Sequence, residues 1–432
     1  MRQQTLTVVM PVRGTLELRE ALRARAALHE QLRQLLAQPA LGIHFARLAF
    51  LDEPEAGKHP SCFVFESNFD TKIADPREAM QEHLRALCEL GTPAIADWLH
   101  YSESKLESAS GRALADYLER HLVEATACYQ GHVQRDLGRI RAEQALRDVI
   151  FTYLEGCSGH APHVLYRKIR EHVRERATRD PRLSGLDFDA PAPAQPDLEA
   201  RSRALKSPVW PWIRNSDVLL PAVLRLGRVA VWGKTDSYYE LRKRQEAWTD
   251  RDREVFRDIS RTEDFGAQNA ITHVVSLRDG DGRLGVMRTA HRYIARLAER
   301  YFNDVGQLGG IPSIHFAKWL LLDGGKRLLF LSNYDSSWES YLGDFVDQAW
   351  IGLNLAWSCT AEYPATRHLV LGGAMDEERF KAWGRSCQRP TELFYSAYPD
   401  LSVAAINNNT AIRAGLHAPA PPDLDAWFRR LT

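Results

Sequence analysis

Two histidines, two cations and two Asn/Asp sets recur in the same order along this chain, and these side chains are the ones best suited to chemistry. The string IHFARLAFLD at Ile43–Asp52 returns as IHFAKWLLLD at Ile314–Asp323, and SNFD at Ser67–Asp70 returns as SNYD at Ser332–Asp335. His44 and His315 could carry a proton or ligate a metal, because imidazole titrates near neutrality and can offer a free nitrogen. Each ring could equally be buried and held by backbone, or by Asp52 or Asp323; its presence in both copies favours such a fold-level role. Arg47 and Lys318 keep a cation at one strand position. Facing an enclosed interior, that cation could hold a carboxylate or stabilise an oxyanion; reaching out to solvent, it would do neither. Asn68–Asp70 and Asn333–Asp335 stand where a strand gives way to a helix, a place where these residue types bond local backbone as turn and cap residues.

The elements that must position these groups follow from periodicity. Thr5–Val12 is β-branched and ends in proline, which predicts a strand. An apolar stripe from Leu16 to Leu36 predicts a helix, ended by Pro39. Strands Leu41–Asp52 and Ser61–Phe69 follow, then a helix over Pro76–Leu90 with proline at its first position. The second copy repeats the order: strand Ile271–Leu277, helix Leu284–Asn303, a hairpin of Ser313–Asp323 and Arg327–Tyr334 across Gly324–Gly325, helix Ser337–Trp357, and a fourth strand at Arg367–Leu371. Strand–helix–strand–strand–helix–strand is the ferredoxin-like order. In the strand Ile314–Asp323, strict alternation puts Ile314, Phe316, Lys318, Leu320 and Leu322 on one face and His315, Ala317, Trp319 and Leu321 on the other. Both faces are largely apolar, so the sheet is expected to be covered on both sides. Helices cover one face of a ferredoxin-like unit, and a second copy of the sheet is the natural cover for the other.

The expected organisation is therefore α+β: two fused ferredoxin-like units forming an intrachain α+β barrel, with a helical insert and a C-terminal extension. Its segments are repeat 1 over 1–91, a mainly helical insert over 92–260, repeat 2 over 261–375, and an extension over 376–432 packed on repeat 2. Within the insert, Arg112–Gln130 and Gln134–Leu154 read as amphipathic helices, and the Pro/Asp/Ala-rich stretch 179–195 reads as a mobile linker. In the extension, helices are expected at Asp376–Gln388 and Ala404–Leu416, with a strand at Glu392–Ala397.

A chain of 432 residues is too long for one core, and two or three domains are expected. Lysines and arginines balance aspartates and glutamates at 56 each, so no global field draws the chain to nucleic acid. Six scattered cysteines form no C-x-x-C pair, and the opening LTVVMPV is too short for a signal core. A cytoplasmic protein with reduced thiols is expected. No apolar run reaches the length of a membrane span. Val209–Trp232 is apolar but interrupted by prolines and arginines; its Trp210, Trp212 and Trp232 could anchor the protein peripherally at a membrane surface. The chain has no H-E-x-x-H, P-loop or G-x-S-x-G motif.

Tandem units of this kind with a helical insert resemble the haem-binding dimeric α+β barrel superfamily, to which dye-decolourising peroxidases and chlorite dismutases belong. TAHRYIAR at Thr289–Arg296, followed by the hairpin ending RLLFLSNYD, is similar to the C-terminal half of the peroxidases. That resemblance implies haem, with His291 as iron ligand, Arg288 and Arg292 pairing with the propionates, and Lys318 or Arg327 near the distal side with His315. The peroxidases' G-x-x-D-G motif is missing, and so is C-x-x-C-H, so any haem would be held non-covalently. The second half also resembles a group of uncharacterised bacterial proteins carrying strings such as IPSIHFARW, LLFLSNFDGSWE and YSAYPDL, which appear here with a few changes at Ile311–Trp319, Leu328–Glu339 and Tyr395–Leu401.

The expectations for function are then a haem-dependent, peroxidase-like oxidoreductase acting on a peroxide, or a cofactor-free, non-enzymatic binder. The binder would take a small apolar molecule or lipid between its sheets and could be membrane-peripheral.

Overall fold

The computed structural model describes residues 1–12, 24–51, 59–99, 110–132, 134–157, 159, 161–188, 250–278, 282–299, 308–367, 371–417 and 420–431. In chain order the first repeat supplies β1 (Arg2–Pro11), α1 (Ala26–Leu36), β2 (Ile43–Leu51), β3 (Cys62–Thr71) and α2 (Pro76–Leu90). Asp75 caps α2 by accepting from the Glu78 amide, and Pro76 occupies its first turn, where no amide is needed. Helices α3 (Thr92–Leu99) and α4 (Gly111–Glu119) follow, then strand β4 (Ala125–Gln130) and helices α5 (Leu137–Glu155), α6 (Pro162–Ala177) and α7 (Asp250–Ser260). The second repeat supplies β5 (Gln268–Ser276), α8 (Arg283–Leu297), β6 (Ile314–Leu322), β7 (Arg327–Asp335) and α9 (Trp338–Trp357). The β6–β7 turn runs through left-handed Asp323, Gly324 and Gly325, which is why glycines stand there. Last come the short pair β8 (Thr366–Arg367) and β9 (Leu371–Gly372), α10 (Glu377–Cys387), β10 (Thr391–Ser396), α11 (Val403–Ala414) and α12 (Leu424–Phe428).

Two antiparallel four-stranded sheets carry the fold, ordered β1-β3-β2-β10 and β4-β6-β7-β5. Each is thus completed by a strand from the other half of the chain. β4, which follows the first repeat, pairs with β6, and β10, which follows the second, pairs with β2. Isolated bridges Val8–Leu122 and His273–Gln388 tie each sheet's outer strand to the chain entering the strand it has given away.

The sheets pack face to face. Ala49, Leu51 and Val64 of one meet Val274, Leu320 and Leu329 of the other in a shared core. Their outer faces are covered separately, the first by α1 to α4 and the second by α8 to α10. Each strand-to-helix contact has a serine bond and a ring stack. Ser67 meets His83 at 3.0 Å with Phe69 stacked on that ring at 3.7 Å; Ser332 meets Tyr341 at 2.7 Å with Tyr334 stacked at 3.9 Å. A third core joins α5 and α6 to α11 and α12 through Leu146, Ile169, Ile412 and Trp427.

Several sequence expectations change. The helix expected over 112–130 ends at Glu119, and β-forming Thr126, Cys128 and Tyr129 lie in β4 instead. Of the expected fourth strand of repeat 2 at 367–371, Arg367 lies in β8 and Leu371 in β9, which pair with each other, and residues 368–370 lie outside the described residues. The first repeat's core extends past residue 91 to Trp98 and Leu118. The extension over 376–432 divides: α10 packs on the second repeat, β10 joins the first sheet, and α11 and α12 pack on the helical insert. Of the expected linker over 179–195, residues 179–188 are ordered, with Leu183 and Phe188 buried in the helical core, and the remainder lies outside the described residues. Trp210, Trp212 and Trp232 also lie outside them. No helix of the described residues is long and apolar enough to cross a membrane, and none of the six cysteines is in a disulfide.

The end of β4 is anchored at Gly131, whose amide donates to the His315 carbonyl at 2.7 Å; Ala397 makes the equivalent bond to His44 at 2.9 Å. A Cβ on Gly131 would lie 2.6 Å from the Ile314 carbonyl oxygen. Gly131→Ala should therefore cost about 1–3 kcal/mol by overpacking, and Ala397→Gly less than about 1 kcal/mol. Urea unfolding of both variants checks this; equal costs would contradict it.

Candidate functional site between the sheets

The recurring polar residues gather at one end of the inter-sheet space. Strict alternation would send His315 to the helix side, but β6 shifts register between Ile314 and Phe316, and β2 does the same between Ile43 and Phe45. Each irregularity swings the histidine inward beside its neighbouring phenylalanine. Phe45 consequently meets both His315, at 4.9 Å between centroids, and Phe316, at 5.8 Å. The shift also returns Ile314 to the helix-side core with Ala317 and Trp319.

Both histidines are fully buried and paired. His44 Nε2 lies 3.0 Å from Asp70 Oδ1, and its Nδ1 accepts from the Tyr398 hydroxyl at 2.9 Å. His315 Nε2 donates to Asp335 Oδ1 at 2.7 Å, and its Nδ1 accepts from His132 Nε2 at 2.7 Å. The carboxylates, which can only accept, set both tautomers. Each aspartate's second oxygen caps a distant helix: Asp70 accepts from Leu137 at the start of α5, Asp335 from Val403 at the start of α11. The expected capping role is present, but the helix capped is not the one that follows in sequence. Gln3 repeats the pattern by donating to the Arg135 carbonyl at 2.9 Å, and Gln268 by donating to that of Leu401 at 2.6 Å. The two clusters are thus related by an approximate twofold. His132, Arg135 and Asp136 stand in one where Tyr398, Leu401 and Ser402 stand in the other.

Further in, a buried charge cluster spans the two sheets. Glu66 contacts Arg47 Nε and lies 3.1 Å from Lys318 Nζ, and all three are at most 2 % exposed. Burial alone would raise the Glu66 carboxyl; Arg47 and Lys318 outweigh it and hold the group below the ordinary glutamate value. The same burial lowers both cations against the pull of Glu66, and with two cations in contact the carboxyl stays ionised. The excess positive charge is taken up by backbone oxygens. Arg47 donates to Ile271 at 2.6 Å and Ser332 at 2.8 Å and also reaches Asn333; Lys318 donates to Leu6 at 3.3 Å and reaches Thr5. Neither cation snorkels to solvent. These groups and their buried apolar neighbours share the space between the sheets.

The remaining candidates do not converge with these. Arg327 is tied to Asp323 at 2.5 Å and to the Pro60 carbonyl at 3.1 Å. Arg288 and Arg292 are exposed, but His291 between them faces inward and is fully buried. Its Nδ1 is 2.7 Å from Thr126 Oγ1 in the exchanged strand β4, and its Nε2 is 3.4 Å from the Ala356 carbonyl. Burial pushes this imidazole down to about 4. With both ring nitrogens engaged and the arginines turned to solvent, these residues do not fit haem. Among the described residues no group of three or more His, Cys, Asp or Glu side chains could hold a metal ion.

A feature that sequence reasoning missed lies on the helical layer. A cleft of about 430 Å³ opens between α5, α6 and the turn at Pro181–Leu183, lined by Asp148, Thr152, Tyr153, Cys157, His172 and Arg176. Tyr153 and His172 stack at 4.4 Å and form an aromatic shelf. Arg182, at the rim, is held by Asp180 at 2.7 Å, whereas Arg176 is exposed and has no ion-pair partner among the described residues. The spacing of Tyr153 and His172 gives no sign of their meeting, because they belong to different helices. Comparison of the chain with protein-family models, curated proteins and solved structures found no match.

Two outcomes follow from the buried charges. Glu66→Leu, which copies Leu331 of the other repeat, leaves two cations uncompensated and should cost at least about 3–5 kcal/mol in urea unfolding; a cost under about 1 kcal/mol would contradict the charge assignment. His83, His273 and His291 are held neutral by burial at about 3, 3 and 4, and His132 well below 6.5. Each folded-state value lies below the unfolded one, so the stability these groups confer is full above pH 6.5 and is lost as pH falls towards the folded values. For His291 alone the loss is roughly 3 kcal/mol. Unfolding near pH 5 should take up about one proton per buried ring, and the urea midpoint should drop steeply between pH 6.5 and 5; a flat midpoint there would contradict it.

Proposed function

We propose that this chain is a cofactor-free binding protein. Its two repeats are read as ferredoxin-like units closing an intrachain α+β barrel, a reading supported by the exchanged strands and the two bridges at the sheet edges. The barrel serves as a scaffold, and the ligand site is on the helical layer. The oxidoreductase reading is disfavoured because its catalytic and iron-ligating candidates are engaged inside the protein: Lys318 with Glu66, Arg327 with Asp323, His315 with Asp335 and His132, and His291 with Thr126.

The observation that carries the binding reading is the Tyr153–His172 shelf beside the Arg176 guanidinium, which has no ion-pair partner among the described residues. A stacked pair of rings offers a face to a planar group, and a guanidinium offers two parallel donors to a carboxylate. The cleft volume falls in the range of small-molecule sites, so the ligand class is a small aromatic carboxylate.

Benzoate and indole-3-acetate serve as probes in thermal unfolding. At a hundredfold excess over Kd, stabilisation of about 2.7 kcal/mol is expected, read as a rise of a few degrees in melting temperature and abolished by Arg176→Ala. No rise with either probe would overturn the site. A Soret band in protein purified after growth with haem precursor, lost in His291→Ala, would overturn the cofactor-free reading.

A further inference from the structure

The approximate twofold that relates the polar clusters is broken at one position, and the break has a chemical meaning. His132 and Tyr398 occupy equivalent places, each bonded to the Nδ1 of the histidine that the other half of the chain contributes. A tyrosine hydroxyl is donor and acceptor at once, so if His44 gains a proton, Tyr398 can turn and accept from it. His132 has no such freedom. If His315 gains a proton at Nδ1, His132 must shift its own proton to Nδ1, which is fully buried and has no partner. A second proton would place two imidazolium rings 2.7 Å apart.

The surroundings offer no relief. From β2 the ring faces His44, from β6 His315, from its own turn Arg135, and from the turn after β10 Tyr398. The aspartates within reach of this network, Asp70 and Asp335, are each shared between a histidine and a helix amide. Arg135 is satisfied by Asn407 at 2.6 Å and the Gly131 carbonyl, with Glu143 its nearest acidic influence. Three buried imidazoles therefore share one end of the inter-sheet space with a fixed guanidinium, and only His132 sits on a turn, the one that links β4 to α5. Leaving the cluster costs that turn the Gly131 bond to His315 and the Arg135 bond to the His132 carbonyl at 2.9 Å.

We propose that the turn bearing His132 is a proton-released latch: acid drives His132 out of the cluster, the turn detaches from β6, and the covered end of the inter-sheet space opens to water. The matching turn at Tyr398 stays closed because it carries no group that takes up a proton. Burial and the neighbouring His315, Arg135 and His44 hold His132 below the ordinary histidine range, so release occurs on the acid side of it.

Amide hydrogen exchange at pH 7.5 and pH 5, corrected for intrinsic rates, tests the proposal with a built-in control. The amides of Gly131 and Arg135 report on the latch, and those of Ala397 and Leu401, which bond to His44 and Tyr398 in the equivalent way, report on its counterpart. Protection at Gly131 and Arg135 should fall at least tenfold more than at Ala397 and Leu401. His132→Tyr, which copies the other cluster, should remove the difference. Should that variant not fold, Tyr398→His provides the converse: Ala397 and Leu401 should then lose protection with the others at pH 5. Equal loss at all four amides in the wild type, an unchanged difference in His132→Tyr, or unaltered Ala397 and Leu401 in Tyr398→His would overturn the latch.

Discussion

Each sheet of this protein is finished by a strand from the other half of the chain, and most of the polar architecture follows from that exchange. β4 leaves the first repeat to pair with β6, and β10 leaves the second to pair with β2. A strand that crosses between sheets must be fixed at both ends, since its backbone groups would otherwise be buried without partners. At the end of β4 the Gly131 amide binds His315, and at the end of β10 the Ala397 amide binds His44. The chain then turns into a helix whose first amide is capped by an aspartate of the other sheet, Asp70 for the helix after β4 and Asp335 for the helix after β10. Asp70 and Asp335 therefore act as clamps, each joining a strand of its own sheet to the helix that follows the strand its half has given to the other sheet, while the His315 and His44 carbonyls hold the chain that leaves the strand received from the other half.

Buried charge sets the partnership between the halves. Two identical repeats would present Arg47 and Lys318 to each other across the interface with nothing between them. Glu66, where the second repeat has Leu331, removes that repulsion and does so in one copy only. Replacing such a cluster with apolar side chains is often tolerated, whereas removing one member is severe. Its contribution is thus better described as specificity than as net stabilisation: the cluster is satisfied only when the first repeat faces the second. The helical layer extends the same logic, because Glu143 of α5 accepts from Thr410 and Arg413 of α11.

Much of this was legible in the residues. The two copies, the hairpin at Gly324–Gly325, the bounds of α2 and the fold-level role of His44 and His315 are readable from repetition and turn chemistry. The capping function of Asp70 and Asp335 is readable in kind, but not the helices capped, which lie 67 and 68 residues further along the chain. The exchange itself was hidden because β4 is six residues long and follows a helix pattern that runs into it without a glycine or proline break. Two-residue alternation also failed at His315, where a register shift reverses the face. The burial of His291 was hidden for a related reason: its neighbours Arg288 and Arg292 are exposed, while its partner Thr126 comes from the unforeseen strand.

The exchange is open to a direct test. Cleaving the chain between residues 188 and 250, outside the described elements, separates β1 to β4 from β5 to β10. Each fragment then holds three strands of one sheet and a single strand of the other, with its inner face uncovered. Circular dichroism and sedimentation of the fragments should find each unfolded or aggregated when alone, and a folded one-to-one complex once they are mixed. A cooperative, monomeric fold in either isolated fragment would contradict the account, since it would mean that a repeat needs neither the other's strand nor the other's sheet.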